Sequence, residues 1–228
     1  MDNLTKHQSN LSLNDREGGK MCLKKERSSN EHTIAKFLSK RALNTDVIVR
    51  TFSPLWHSIN GFKVLNVGDH KILFVFYNNE EVEKILASEP WSFDRHLVVL
   101  QRLEIASLVR GLAFNKVSIW VQVHNILISY LNRSVAEELC EVIGEMDRTS
   151  TNAEVEGGSF IKVHVRVNVS LPQCAGLVLS IEDGKEGWVS FKYERLPYIC
   201  YWCGCLYHAN RDCDLWIESD GTLDISDQ

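Results

Sequence analysis

The chain has 228 residues, of which 44% are hydrophobic and 24% charged, and its formal net charge is −5. This length and composition are typical of a globular protein with one or two modest hydrophobic cores. A membrane helix needs about 20 apolar residues in a row, and the sequence has no such stretch, so we expect no membrane partner.

The first segment, residues 1–31, is polar and lacks a hydrophobic period. We expect it to be a disordered tail, because a segment of this kind cannot bury enough apolar surface to offset the entropy of ordering. Its start lacks the apolar segment of a signal peptide. In residues 1–43 lysines and arginines outnumber acidic residues, although the chain as a whole is acidic.

Residues 32–106 are predicted to form an α+β domain of the order β-α-β-β-α-β. The predicted elements are strands at 33–39, 62–67, 71–77 and 97–103 and helices at 44–59 and 80–88. Asn44 and Asn79 are N-cap candidates, and apolar residues follow them at helical spacing. This order is that of the ferredoxin-like fold used by RNA-recognition modules.

The strand at 71–77 contains Phe74, a candidate contact for nucleic acid. The third strand of RNA-recognition modules offers aromatic side chains to stacked bases. Strand alternation places two sets on opposite faces, Ile72, Phe74 and Phe76 on one and Leu73, Val75 and Tyr77 on the other. If the second set is core, Phe74 lies at the centre of a platform. The alternative is that both faces are buried and Phe74 is an ordinary core residue.

Residues 107–196 are predicted to continue the globule as a β-rich region with one helix. Strands are predicted at 117–124, 160–169, 176–182 and 187–193, a helix at 134–146, and a hairpin turn at Asp183-Gly184. The strand at 160–169 alternates strictly, so Lys162, His164 and Arg166 share one face. Lys162 and Arg166 are candidate phosphate contacts, and a solvated strand face explains this basic stripe equally well.

The segment 197–214 contains the spacing C-x2-C-x4-H-x4-C, formed by Cys200, Cys203, His208 and Cys213. Three thiolates and one imidazole complete the tetrahedral coordination of a single Zn²⁺ and leave no open position, which is typical of a structural site. The segment is too short for a core of its own, so metal binding must supply its folding free energy. Gly204 suits the turn after the first two cysteines, and Cys205 is interpreted as an ordinary free thiol.

Aromatic residues between the predicted ligands are candidates for contacts with nucleic acid. They are Tyr201, Trp202 and Tyr207, one of which we expect to be consumed in packing against the upstream domain. Arg211 is basic, but Asp212 offsets its charge. Stacking on an exposed ring stabilises binding by about 1–3 kcal/mol per base. We therefore predict weak binding of single-stranded RNA or DNA with little sequence preference.

The residues that lead into this motif resemble a known family. Residues 193–200 and the motif read Y-E-R-L-P-Y-I-C-Y-W-C-G, similar to the YERLP-x-x-C-x-x-C-G signature of plant retrotransposon-derived proteins. The resemblance extends upstream to Trp56 and covers roughly residues 33–213. Such proteins carry an uncharacterised N-terminal domain and a CCHC knuckle, and they are similar to the Gag-like first-reading-frame proteins of plant LINE elements. The resemblance implies nucleic-acid binding.

Cysteine usage and missing motifs limit the remaining functions. Seven cysteines, most of them close to His208, suit a reducing compartment and a metal better than a disulfide framework. We therefore expect the nucleus or cytoplasm, with the nucleus slightly favoured. The sequence has no Gly-rich phosphate loop, G-x-S-x-G elbow or H-E-x-x-H motif, so we expect neither an enzyme nor a small-molecule substrate. Residues 215–228 are predicted to form an acidic disordered tail.

Three functional hypotheses remain. The favoured one is a zinc-dependent nucleic-acid-binding protein of the Gag-like type, in which the upstream domain adds contacts or self-association. The alternative is a protein–protein interaction module that uses the knuckle as a docking surface. The negative net charge favours this alternative, because phosphate binding normally requires a basic surface. The third is a decayed element remnant without a selected activity.

Overall fold

The computed structural model describes residues 31–103, 111–146, 160–180, 184, 186–219 and 222. These residues form an α+β protein with two antiparallel five-stranded sheets and a cysteine/histidine cluster near the C-terminus. Within the same residues, no helix is long and apolar enough to cross a membrane. The predicted tail at 1–31 lies outside the described residues except for Glu31, which begins the first strand.

The first sheet confirms the predicted order of elements. It contains β1 (Glu31–Phe37), β2 (Phe62–Gly68), β3 (Lys71–Phe76), β4 (Trp91–Phe93) and β5 (His96–Arg102), in the spatial order β2-β3-β1-β5-β4. Helix α1 (Thr45–Trp56) connects β1 to β2, and helix α2 (Asn79–Ala87) connects β3 to β4. The short strand β4, which pairs with β5, was not predicted.

Both helices begin at an asparagine cap. The side chain of Asn44 accepts a hydrogen bond from the N–H of Asp46 at 2.9 Å, and Asn78 accepts one from the N–H of Glu80 at 2.9 Å. Such bonds satisfy N–H groups that the first helical turn leaves unpaired. The cap of α2 is therefore Asn78, one residue before the predicted Asn79.

An aromatic core lies between α1 and one face of the first sheet. The Phe52 ring is stacked on the Trp56 ring, with the ring centroids 4.5 Å apart. The Phe52 ring also meets the rings of Phe37 and Phe74 edge to face. Aromatic pairs of this kind stabilise a core beyond the burial of their area. Ile48, Phe52 and Trp56 form the buried stripe of α1, while Leu55 of the same helix is 49% exposed.

Phe74 belongs to this core, so the prediction that it stacks on bases is wrong. Its side chain is fully buried, and its ring contacts Phe52, Trp56 and Phe62. The physical reason is that α1 must bury its aromatic stripe against an apolar sheet face, and the face with Phe74 meets that need. The alternative is correct in making Phe74 an ordinary core residue, but the other face is not fully buried, since Tyr77 is 43% exposed.

The second sheet follows a different pattern. It contains β6 (Lys116–His124), β7 (Gly144–Met146), β8 (Phe160–Asn168), β9 (Gly176–Ser180) and β10 (Glu186–Tyr193), in the order β7-β8-β6-β10-β9. A 3-10 turn at Ile128–Tyr130 precedes helix α3 (Arg133–Cys140). Strands β9 and β10 pair as predicted for a hairpin, although Asp183 of its expected turn lies outside the described residues.

The predicted helix at 134–146 is wrong at its C-terminal end. Helix α3 ends at Cys140, and Gly144–Met146 form strand β7, which pairs with β8. A Cβ atom at Gly144 would collide with the backbone of Arg166, so this close pairing depends on glycine. The apolar residues beyond Cys140 kept a helical spacing that masked the change to a strand.

A second core fills the inner face of the second sheet. Alternation along β8 and the residue after it buries five side chains as predicted, namely Ile161, Val163, Val165, Val167 and Val169. Helix α3 adds Ala136 and Cys140 to this core, and β5 of the first sheet adds Leu97 and Val99. The two sheets therefore share one packed body.

Phe52→Ala should lower the free energy of unfolding by about 3–5 kcal/mol, because it removes the ring at the centre of the first core. Leu55→Ala is the matched control on the same helix and should cost less than about 1 kcal/mol, since this side chain is half exposed. Urea unfolding of both variants measures the difference. Equal losses would contradict the assignment of the core stripe.

Candidate metal centre

The four predicted ligands come together in one cluster. One ligand atom from each of Cys200, Cys203, His208 and Cys213 lies within 4.8 Å of the others. The Sγ of Cys203 is 3.4 Å from Nε2 of His208, so the imidazole presents this nitrogen to the cluster. Three thiols and one imidazole are a donor set that Zn²⁺ takes in structural sites. The residues present therefore fit a zinc ion.

A tight turn brings the first two thiols to the same side. The N–H of Gly204 donates to the carbonyl of Cys200 at 2.8 Å, and the N–H of Cys200 donates to the carbonyl of Cys205 at 3.0 Å. Gly204 has a φ of 71°, which side chains with a Cβ rarely adopt. The expected role of this glycine in the turn is confirmed.

The second pair of ligands is connected to the first through Asn210. Its side-chain oxygen accepts a hydrogen bond from the N–H of Tyr201 at 2.8 Å. Asn210 also begins the 3-10 turn Asn210–Asp212, which directly precedes Cys213. This bond ties together the two halves of the segment that carry the ligands.

Burial controls the protonation of the ligands. It raises the pKa of both the Cys200 and the Cys203 thiol to about 11 and lowers the pKa of His208. The imidazole is therefore in the neutral form that binds metals, whereas the thiols must lose their protons to a cation. Zinc, when bound, supplies the positive charge that stabilises these thiolates.

The knuckle, residues 197–214, is attached to the second sheet. Leu206 is buried in the second core, and its N–H donates to the carbonyl of Val169 at 3.1 Å. The N–H of Gln173 donates to the carbonyl of Gly204 at 2.9 Å. The prediction that the knuckle sits against the globule, and does not hang on a flexible linker, is confirmed.

Helix α4 (Asp214–Glu218) follows the last ligand directly, so the prediction of a disordered acidic tail from residue 215 is wrong up to Glu218. The Trp216 ring stacks on Trp202 with the ring centroids 4.6 Å apart and the planes 14° apart. The N–H of Ile217 donates to the carbonyl of Cys213 at 2.9 Å, so the helix begins at a ligand. Residues 220–221 and 223–228 of the tail lie outside the described residues.

This stack corrects the role expected for Trp202. One ring of the knuckle was expected to pack against the upstream domain, but Trp202 packs against the downstream residue Trp216. Trp216 is not among the predicted site residues, because the acidic composition of residues 215–228 favours disorder and hides the role of this ring. A second tryptophan three residues after Cys213 was the available signal.

The other candidate residues of the knuckle remain at the surface. Tyr201 is 66% exposed and Tyr207 is 43% exposed, and the Tyr207 ring meets the His208 ring edge to face at 4.3 Å. Arg211 is exposed in the 3-10 turn, and Lys40 approaches Asp212 to 3.8 Å. The knuckle thus presents two tyrosine rings and little net charge.

The basic stripe of β8 lies on the outer face of the second sheet. Its three members differ in environment: Lys162 forms an ion pair with Glu194 at 3.1 Å, His164 is buried, and Arg166 is exposed. The His164 ring packs on Trp120 with the centroids 4.7 Å apart. The knuckle contacts Val169, which follows this strand, and none of the contacts described above joins the stripe to the knuckle.

Two family models match parts of the chain. Residues 179–215 match the family described as zinc knuckle, and residues 27–106 match the domain of unknown function DUF4283. The chain is also similar to an uncharacterized protein of Arabidopsis thaliana, at 25% identity over 135 residues. This similarity covers 57% of the chain and 41% of that protein, so the chain spans less than half of the relative's length. The knuckle match agrees with zinc as the metal.

Metal analysis of the purified chain should find one Zn²⁺ per molecule, and Cys200→Ser should lose it because one of the four ligands is removed. Cys205→Ser is the matched control, since Cys205 is a buried thiol of the same loop that lies outside the cluster. Its Sγ donates to the carbonyls of Ser170 and Cys203 instead. Equal zinc contents in the two variants would contradict the ligand assignment.

Removal of zinc by a chelator should separate Trp202 from Trp216, because Cys213 connects the metal cluster to helix α4. The near-ultraviolet circular dichroism of the stack should then be lost, while the far-ultraviolet signal of the two sheets persists. Trp216→Leu is the control: chelation should change its near-ultraviolet spectrum much less. A wild-type spectrum that stays the same after verified loss of zinc would rule out this coupling.

Proposed function

We propose that the chain is a zinc-dependent protein that binds single-stranded RNA or DNA through the knuckle. The observation that carries this proposal is a pair of exposed rings, Tyr201 and Tyr207. Both lie next to the cysteine/histidine cluster, in the segment that matches the zinc-knuckle family. Bases stack on such rings without regard to sequence, because each base has an aromatic face. The metal cluster holds the backbone of both tyrosines and so limits the entropy lost on binding.

The affinity of the knuckle for nucleic acid is expected to be low. Arg211 is balanced by Asp212, so counterion release from phosphates contributes little. Stacking then supplies most of the binding free energy, at about 1–3 kcal/mol per base. With Trp202 engaged by Trp216, the exposed tyrosines replace it as the principal contacts in this proposal.

The proposal extends to a Gag-like protein of retroelement origin that resides in the nucleus or cytoplasm and has no catalytic activity. It is supported by the presence of an N-terminal DUF4283 match and a C-terminal knuckle in one chain. In this view the first domain contributes packing, orientation of the knuckle and self-association. Its sheet contributes no base-stacking platform at Phe74, which is buried.

A docking role for the knuckle is the second candidate function. The net charge of −5 favours it, since an acidic chain repels phosphates. A protein partner would bury the same exposed tyrosines without requiring counterion release. The two functions therefore differ in how binding depends on salt.

Tyr201→Ala should weaken the binding of single-stranded RNA by about 5-fold or more, because it removes one stacking ring. Tyr77→Ala is the control, since Tyr77 is an exposed tyrosine at the end of β3 in the first sheet. Fluorescence anisotropy at two salt concentrations measures both affinity and salt dependence. Zinc content must be equal in the three proteins.

Equal affinities of the Tyr201 and Tyr77 variants would contradict the role of the knuckle in binding. Failure of the zinc-loaded wild-type chain to bind RNA or DNA at low salt would favour the docking function.

A further inference from the structure

A cleft of about 460 Å³ lies between the two halves of the protein. The first half contributes the end of α2 and strand β5, including Glu89 and Gln101, and the second half contributes Trp120, His164 and Arg166 from the outer face of β6 and β8. This volume lies within the range of small-molecule binding sites. The residues that line the cleft do not belong to the knuckle, so a ligand here would occupy a second site.

Trp120 provides a ring that is held in place at the wall of the cleft. It lies opposite His164 in the ladder between β6 and β8, and the two rings pack with their centroids 4.7 Å apart. His164 is only 6% exposed, while Trp120 remains partly exposed and lines the cleft. The buried imidazole supports the indole and reduces the entropy that Trp120 would lose on stacking with a ligand.

Positive charge lies beside this ring. Arg166 is exposed and is the neighbour of Ser118 across the ladder, two residues along each strand from Trp120 and His164. Lys116 also lines the cleft and is paired with Glu145. A guanidinium next to an aromatic ring is a combination that binds a phosphate and its attached base together.

Acceptors on the opposite wall favour a ligand with N–H groups. The Oε1 of Gln101 is buried and has no hydrogen-bond partner among the described residues. An unpaired buried acceptor destabilises the protein, and rotation of the Gln101 side chain toward the cleft would let this oxygen accept a donor from a ligand and relieve the cost. Glu89 accepts a hydrogen bond from the N–H of Ser118 at 3.2 Å, which connects the two walls. Glu83 and Glu89 disfavour a polyphosphate in the same space.

We propose that this cleft holds one nucleotide of a single strand, with its base against Trp120, a base N–H donated to Gln101, and its phosphate on Arg166. The inference rests on the proposed function and adds a second contact site to it. Nucleobases combine a stacking face with N–H donors on their edges, which matches the two walls. Because both sites belong to one packed body, a strand that occupies both binds with a high effective concentration.

The test measures binding of fluorescein-labelled single-stranded RNA of mixed sequence by anisotropy at several salt concentrations. Arg166→Gln should weaken binding and lower the slope of log K against log salt by about 0.7, the value for one phosphate contact on a single strand. Lys192→Gln is the matched control: it removes the same charge from the outer face of the same sheet, on β10 and outside the cleft. It should leave the slope unchanged.

Two further variants separate binding from folding. Trp120→Leu should weaken binding by about 5- to 100-fold. Gln101→Leu should weaken binding while the free energy of unfolding stays equal or rises, because removal of an unpaired acceptor does not cost stability. A purely structural role of Gln101 would not produce this combination.

The outcomes distinguish this inference from the function on which it rests. If Arg166→Gln behaves like Lys192→Gln and Gln101→Leu binds like the wild type, while Tyr201→Ala weakens binding, the cleft site is overturned and the knuckle function stands. If the wild-type protein binds no RNA, both are overturned. Loss of affinity in the three cleft variants, beyond that of the Lys192 control, supports the cleft site.

Discussion

Strand β5 is the element on which the arrangement of the protein depends, because it is buried on both faces. Val98 and Leu100 pack in the first core, whereas Leu97 and Val99 pack in the second. A strand with two apolar faces cannot be solvated on either side, so the two halves must stay together. Arg195, just after β10, strengthens this union: it donates to the carbonyl of Ser88 at 3.0 Å, and its guanidinium lies 5.4 Å from the centroid of the Trp91 ring. The cleft between the halves is a consequence of this fixed packing.

The knuckle is part of the same packed body, to which it is attached through Val169 and Gln173. A segment as short as residues 197–214 has no core of its own, yet it contributes Leu206 to the second core and is flanked by the Trp202–Trp216 stack. Metal binding, burial of Leu206 and the stack of two tryptophans therefore stabilise each other. The consequence for function is that the exposed tyrosines of the knuckle keep a defined position relative to the sheets, which a flexible linker would not allow.

The order of elements in the first domain and the metal ligands could be predicted from the sequence, since both depend on local patterns. Helix caps, strand alternation and ligand spacing act over a few residues, and the segment 161–169 buries each of the five side chains that alternation predicts. The burial of Phe74 could not be predicted in this way, because alternation separates the two faces of a strand without indicating which of them the helices cover. The roles of Trp216 and Gly144 depend on contacts with Trp202 and Arg166, which lie outside the few residues over which local patterns act. The tryptophan after Cys213 indicates a candidate ring, but not the ring on which it stacks.

The acidic net charge of the chain is compatible with nucleic-acid binding if charge is considered locally. Several acids are neutralised by a neighbouring cation: Glu194 pairs with Lys162, Glu145 with Lys116, and Glu31 with Arg102. Asp69 is an extreme case, since the pKa of its carboxyl is lowered to about 2 by hydrogen bonds from Lys71 and Lys36. At the paired positions neither long-range repulsion nor long-range attraction of phosphates remains, so in the proposed function short-range stacking is the main source of affinity. Under the proposed function, such a protein would prefer single strands, whose bases are accessible, to duplexes, whose bases are already stacked.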